Sequence, residues 1–201
     1  RCCLSGATIV LPSSDRNLIQ NIQDHNVTHV SLVSTQLYRL LQDKKNIPVL
    51  RRLKAILLGG GPIPPELIKS ALQHKLPIYL TYGLTETASQ VATSNIRDLK
   101  QEKLIAVRPL KYRQIKFARD GEILVKGKVL SPGYATKKGI EKIIDYNGWF
   151  ATGDIGQKIS ADREIHENRP QPILIRKTRR NGKNSRERTR TPEKTETEIQ
   201  N

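Results

Sequence analysis

Apolar residues recur in two different rhythms along this chain, and the change from one to the other falls between residues 95 and 113. In the first part, short β-rich runs alternate with stretches of helical spacing. Gly6 to Leu11 (GATIVL) reads as a strand ended by Pro12, and Ser13, Ser14 and Asp15 offer caps for a helix carrying Leu18, Ile19 and Ile22 on one face. Val27 to Val33 reads as the next strand, and Ser34 as the cap of a helix with Leu37, Leu40 and Leu41. Leu53 to Leu58, Pro65 to His74 and Pro77 to Thr81 continue as strand, helix and strand. Such alternation predicts a parallel sheet with crossover helices.

From Arg113 the rhythm shortens. RQIKF, a turn at Arg119-Asp120-Gly121, EILVKG and VLSPGY read as brief strands joined by tight turns. Lys137 to Ile144 is expected to form a short helix, and Asn147 to Phe150 a turn leading into ATGD. The predicted fold class is α/β: part of a distorted parallel sheet (residues 1–98), a small antiparallel β subdomain (99–160), and a degenerate hinge and disordered basic tail (161–201). That last assignment rests on composition, since Arg, Lys, Thr, Glu and Asn dominate and apolar residues nearly vanish after Ile175.

Composition narrows the partners. Formal net charge is +16 over 201 residues. From Asp162 onward there are eleven Lys and Arg against seven Asp and Glu, so most of the excess lies in the body of the chain. A polyanion partner would suit that balance, but no nucleic-acid motif or aromatic stacking platform accompanies it, which argues against nucleic acid. Cys2 and Cys3 are the only cysteines and, being adjacent, build no disulfide framework, so a reducing, cytoplasmic setting is expected. No apolar run approaches the length of a membrane span.

The densest chemistry lies in Pro77 to Ala88, PIYLTYGLTETA. It reads as a buried strand, a tight turn at Tyr82-Gly83, and a Thr85-Glu86 pair facing whatever lies beyond the strand end, where open α/β sheets bind ligands. A hydroxyl and a carboxylate beside a glycine suit a phosphate and its magnesium ion. A plain strand-to-helix turn with a Thr cap accounts for the same residues. Gly59-Gly60-Gly61, ahead of Pro62, would let a flat ring lie against the backbone, or would serve only a turn of positive φ. His29 stands alone in a strand, where histidine is more often an edge or core residue than a ligand contact. Asp154, in GWFATGD, is either a turn-former or a carboxylate accepting charge-assisted hydrogen bonds.

KAILLGGGPIPPEL, YGLTETA and GWFATGD, in that order, resemble the adenylate-forming superfamily of acyl-CoA synthetases, luciferases and nonribosomal adenylation domains. VTHVSLVSTQLYRLL is similar, more narrowly, to its o-succinylbenzoate–CoA ligases of menaquinone synthesis. The resemblance covers residues 1–169. It implies ATP (leaving as AMP), Mg²⁺ and coenzyme A as cofactors and a small carboxylate as substrate. Gly60, Gly61, Pro62, Tyr82 and Gly83 would contact the nucleotide, Thr85 a phosphate oxygen, Asp154 and Arg169 the ribose. Thr85 and Glu86 would be the catalytic pair, Glu86 holding the metal, and His29 would line the acyl site.

Where the chain departs from the pattern is also informative. The family's T-S-G-T-T-G-x-P-K phosphate loop is not among these residues, Gln171 stands where its hinge Asp belongs, and the paired glycines beyond are missing. The chain therefore reads as a fragment, inactive alone, with a tail after Arg169 that is a reading-frame product or a degenerate terminus. Another acyl- or aryl-CoA synthetase, a non-catalytic remnant, and a basic nucleic-acid-binding protein are the alternative readings.

Overall fold

The computed structural model describes residues 5–12, 17–94, 106–158 and 173–176. The chain divides into two compact units, Arg1–Thr81 and Tyr82–Asn201.

The first unit opens with helix α1 (Leu18–Asp24). Its cap is Asn17: the Gln20 amide donates to Asn17 Oδ1 at 2.9 Å, and the Asn17 amide donates to Gln20 Oε1 at 3.2 Å, satisfying two N–H groups that the first turn leaves over. The expected caps at Ser13 to Asp15 fall outside the described residues. Strand β1 (His29–Leu32), helices α2 (Ser34–Gln42) and α3 (Ile47–Arg52), β2 (Ala55–Leu58), helix α4 (Pro65–Gln73) and β3 (Ile78–Leu84) follow. Strands β1, β2 and β3 pair in parallel, with Leu32 beside Leu58 and Leu58 beside Leu80. Ile56, Leu58 and Ile78 are fully buried in the sheet, as are Leu37, Leu50 and Ala71 from the helices.

Three local expectations up to the end of β3 are corrected. Gly6 to Leu11 is not a strand; Ile9 is 59% and Leu11 82% exposed, and β-propensity without a neighbouring ladder gives the backbone nothing to bond to. Ser34 is the first helical residue rather than the cap, and its Oγ donates to the Pro62 carbonyl at 2.9 Å. Tyr82-Gly83 is not a tight turn, because β3 runs on through Leu84.

In the second unit the ladders among the described residues are antiparallel. Strands β4 (Ser89–Thr93), β5 (Ala106–Pro109), β6 (Gln114–Phe117) and β7 (Glu122–Lys126) are joined by β10 (Phe150–Lys158) and β11 (Ile173–Arg176), in the order β4-β5-β11-β10-β7-β6. Val91, Ala92, Ile123 and Val125 are fully buried. The remaining strands, β8 (Tyr134–Thr136) and β9 (Gly139–Glu141), make a separate hairpin. That hairpin replaces the helix expected over Lys137 to Ile144. Thr136 Oγ1 lies 2.8 Å from the Gly139 carbonyl and accepts from the Lys138 amide, closing the turn, and Gly139 at φ +108° cannot continue a helix. The second correction is β11: Ile173–Arg176, inside the stretch read as a disordered tail, pairs with both β10 and β5. Its Ile-Leu-Ile run has the β-branched character a strand needs.

Candidate functional site

The end of β3 passes into a single 3-10 turn, Thr85–Thr87, before β4. Thr87 sets this corner. It is buried, and its Oγ1 lies 2.9 Å from the carbonyls of Leu84 and Ser89 while accepting the Leu84 amide at 3.1 Å. Ala88 then takes a left-handed conformation, φ 50°, to release the chain into β4. Gly83 is required by the same corner: a Cβ there would stand 2.1 Å from the Ser89 carbonyl oxygen. Close approach of the protein's own backbone accounts for that glycine, so ligand approach is not needed to explain it.

Glu86 is 6% exposed, and a carboxylate so placed demands partners. Its Oε1 accepts the Tyr134 hydroxyl, and its backbone carbonyl accepts the Ser131 amide at 2.7 Å. Thr85, beside it, is exposed.

Asp154 is positioned by a defect in the ladder. Between Ala151, opposite Leu124, and Ile155, opposite Glu122, β10 advances four residues while β7 advances two. Thr152, Gly153 and Asp154 occupy this bulge, a device that re-aims side chains beside functional sites. Thr152 Oγ1 donates to the Ile123 carbonyl at 2.8 Å, the Gly153 amide donates to Glu122 Oε1 at 2.7 Å, and Gly153 takes φ +74°. Asp154, 8% exposed, accepts the Tyr82 hydroxyl on Oδ2 at 2.9 Å. Burial pushes the Tyr82 phenol far above its ordinary range, and the charges of Asp154 and Glu86 add to this while a hydrogen bond with Thr152 opposes it. Tyr82 is thus the donor in this pair at neutral pH. Tyr82, Glu86 and Asp154 are brought into one electrostatic neighbourhood, all within the second unit.

In the first unit the glycine turn follows β2. A Cβ on Gly59 would stand 2.1 Å from Thr81 Oγ1, and Gly60 sits at φ +83°, so the fold itself uses both. Gly61 is different: nothing lies within 4 Å of where its Cβ would be. Pro62 is held through the Ser34 hydroxyl. His29 is not brought to this turn. It is exposed, its Nδ1 lies 2.8 Å from Thr28 Oγ1, and it begins β1 opposite Ala55, whereas the glycines follow Leu58. Three residues of strand put about 10 Å between the two ends, and the ligand end of a parallel sheet is the carboxyl end. The acyl-site role expected of His29 is therefore not supported by its position. Arg169 lies outside the described residues.

No three His, Cys, Asp or Glu side chains converge into a metal cage among the described residues. One carboxylate is nonetheless enough for Mg²⁺, which commonly takes one or two protein carboxylates and completes its octahedron with phosphate and water. Among the described residues no helix is long and apolar enough to cross a membrane.

Residues 1–135 match the family described as AMP-binding enzyme. The chain belongs to that family. Among curated AMP-binding relatives, a 2-succinylbenzoate–CoA ligase of Bacillus subtilis is 36% identical over 163 residues, covering 75% of this chain and 33% of the relative. One from Oceanobacillus iheyensis is 36% identical over 142 residues, 67% of this chain and 30% of the relative. The chain thus spans about a third of the length of the curated relatives it matches. Of solved structures, the B. subtilis o-succinylbenzoate CoA synthetase in complex with its acyl-adenylate intermediate is similar with a TM-score of 0.67 and 30% identity, over 87% of this chain and 36% of that one. The same enzyme in complex with ATP and magnesium gives 0.63 and 30%, over 87% and 37%. Four residues beyond the sequence expectations hold the corner and the bulge of this AMP-binding chain. Thr87 and Thr152 sit inside the quoted motifs, whereas Ser131 and Tyr134 lie in VLSPGY, which reads from sequence only as strand and turn.

Proposed function

We propose that this chain is part of an AMP-forming acid–thiol ligase that makes o-succinylbenzoyl-CoA. In the first half-reaction a carboxylate oxygen attacks the α-phosphorus of ATP and pyrophosphate leaves. In the second, the CoA thiolate attacks the acyl carbonyl and AMP leaves. The observation that carries the reading is the pair of buried carboxylates, Asp154 and Glu86, each fixed by a tyrosine hydroxyl in an AMP-binding chain. Asp154 accepts the ribose hydroxyls. Glu86 holds Mg²⁺ together with the phosphates, and Thr85, exposed beside it, donates to a phosphate oxygen. Gly60, Gly61 and Pro62 serve the adenine, with Gly61 the position the fold does not itself require. Arg169 joins the ribose set on resemblance alone. The ion supplies charge neutralisation at the phosphates, and the residues supply position, which is the larger part of such catalysis. The reading of the substrate rests on the named relatives.

Calorimetry with AMP tests the nucleotide half. Asp154→Ala should weaken binding by about 1.5–3 kcal/mol, the worth of hydrogen bonds to a charged group; equal affinity would make Asp154 scaffold. For the acyl half, a non-hydrolysable o-succinylbenzoyl-adenylate should bind more tightly than a fatty-acyl one, and the reverse order would reassign the substrate. We further propose that these 201 residues in isolation do not form acyl-adenylate, because the family's phosphate loop is not among them. ATP–pyrophosphate exchange above background would refute this.

A further inference from the structure

We propose that the Ser131–Tyr134 segment is a clamp that holds the Glu86 carboxylate in position for a divalent cation, with Tyr134 as a positioning residue. The inference rests on the reading of Glu86 as the magnesium carboxylate. Two bonds from one short segment grip one residue: the Ser131 amide donates to the Glu86 carbonyl at 2.7 Å, and the Tyr134 hydroxyl donates to Oε1. The first fixes the backbone, the second the side chain.

The segment is itself rigidly built. The Ser131 hydroxyl lies 3.0 Å from the Gly133 carbonyl and accepts the Gly133 amide. A Cβ on Gly133 would stand 2.2 Å from the Glu141 carbonyl oxygen, so only glycine lets the segment lie against β9. Tyr134 then pairs with Glu141 in the β8–β9 hairpin, which fixes its backbone. The exposures separate the roles. Tyr134 is 44% exposed and Glu86 6%, so the ring stands at the surface while its hydroxyl reaches a buried carboxylate. A half-exposed ring adds little by burial, and what distinguishes tyrosine from phenylalanine here is the donor. A carboxylate offers about four lone-pair directions, and a phenol donor that sets its plane takes up one of them. Partners of this kind around a metal ligand change affinity by about 10–100-fold.

The test compares Tyr134→Phe and Glu86→Gln with the parent chain, measuring ATP affinity by calorimetry in Mg²⁺ and in EDTA, and AMP affinity in EDTA. The gain in ATP affinity from Mg²⁺ should fall about tenfold in Tyr134→Phe, with AMP affinity in EDTA unchanged within about twofold. Electron paramagnetic resonance of Mn²⁺ with ATP should show the same loss. If Glu86→Gln abolishes the gain while Tyr134→Phe keeps it in full, the clamp is refuted and the Glu86 reading stands. If the gain survives Glu86→Gln, the Glu86 reading itself fails. An equal loss of AMP and Mg·ATP binding in Tyr134→Phe, or loss of its fold by circular dichroism, would make Tyr134 purely structural and overturn the proposal.

Discussion

The two units use their motif residues in opposite ways. In the parallel unit, the glycine turn has two residues that the fold needs, Gly59 and Gly60, and one that it does not, Gly61. In the antiparallel unit Gly83, Tyr82 and Thr87 all serve the fold: Gly83 makes room for Ser89, Tyr82 bonds Asp154, and Thr87 closes the corner. A site built mainly from backbone can keep a spare position. One built from buried charge cannot, because each carboxylate needs its donor whether or not a ligand is present.

The largest test of that contrast is Gly83→Ala. Its Cβ would meet a backbone oxygen that cannot swing aside, so stability should fall by about 3 kcal/mol, the upper part of the usual overpacking range. A denaturation midpoint unchanged from the parent would show the corner to be plastic. Next comes Tyr82→Phe, which leaves a buried carboxylate short of a donor and should cost about 1.5–3 kcal/mol. It carries a pH signature as well. The folded-state pKa of Tyr82 is raised, so its contribution is complete below an ordinary tyrosine pKa of about 10 and is lost as pH rises beyond it. The parent should therefore lose stability more steeply than Tyr82→Phe between about pH 10 and 11.5, and parallel curves in urea titrations would contradict the assignment. Asn17→Ala removes a reciprocal cap and should cost about 1 kcal/mol. Smallest is Gly61→Ala, expected to change stability by less than about 0.5 kcal/mol while lowering AMP affinity. Losing stability without losing affinity would reverse the contrast between the units.

What could be read from the sequence follows the same line. Helix α4 and strands β2 and β3 were legible because apolar spacing and Pro64-Pro65 are local signals, and EILVKG announced β7 by alternation. Asp154 stands out by its motif, but the bulge that aims it depends on Ile123 and Glu122, some thirty residues away. Tyr134 gave no signal, since its partner is 48 positions distant. Gly6 to Leu11 and Lys137 to Ile144 failed for one physical reason: propensity names a preferred conformation, and pairing decides whether it is adopted. His29 shows the complementary case: similar words around a residue do not carry its place on the strand, which here is the amino end of β1.

The bulge in β10 has a consequence for how this chain tolerates insertion and deletion. Side chains on a strand alternate with a period of two, and the bulge carries an even surplus, four residues against two. Phe150, Thr152 and Asp154 consequently remain in phase as the buried members of the strand. Removing one residue from this stretch would break that parity and turn every side chain on one flank to the opposite face. Removing two would preserve it, straightening the ladder and sacrificing only the aim of the carboxylate. The prediction for a deletion library is thus non-monotonic: double deletions at Thr152-Gly153 should yield more folded protein than either single one.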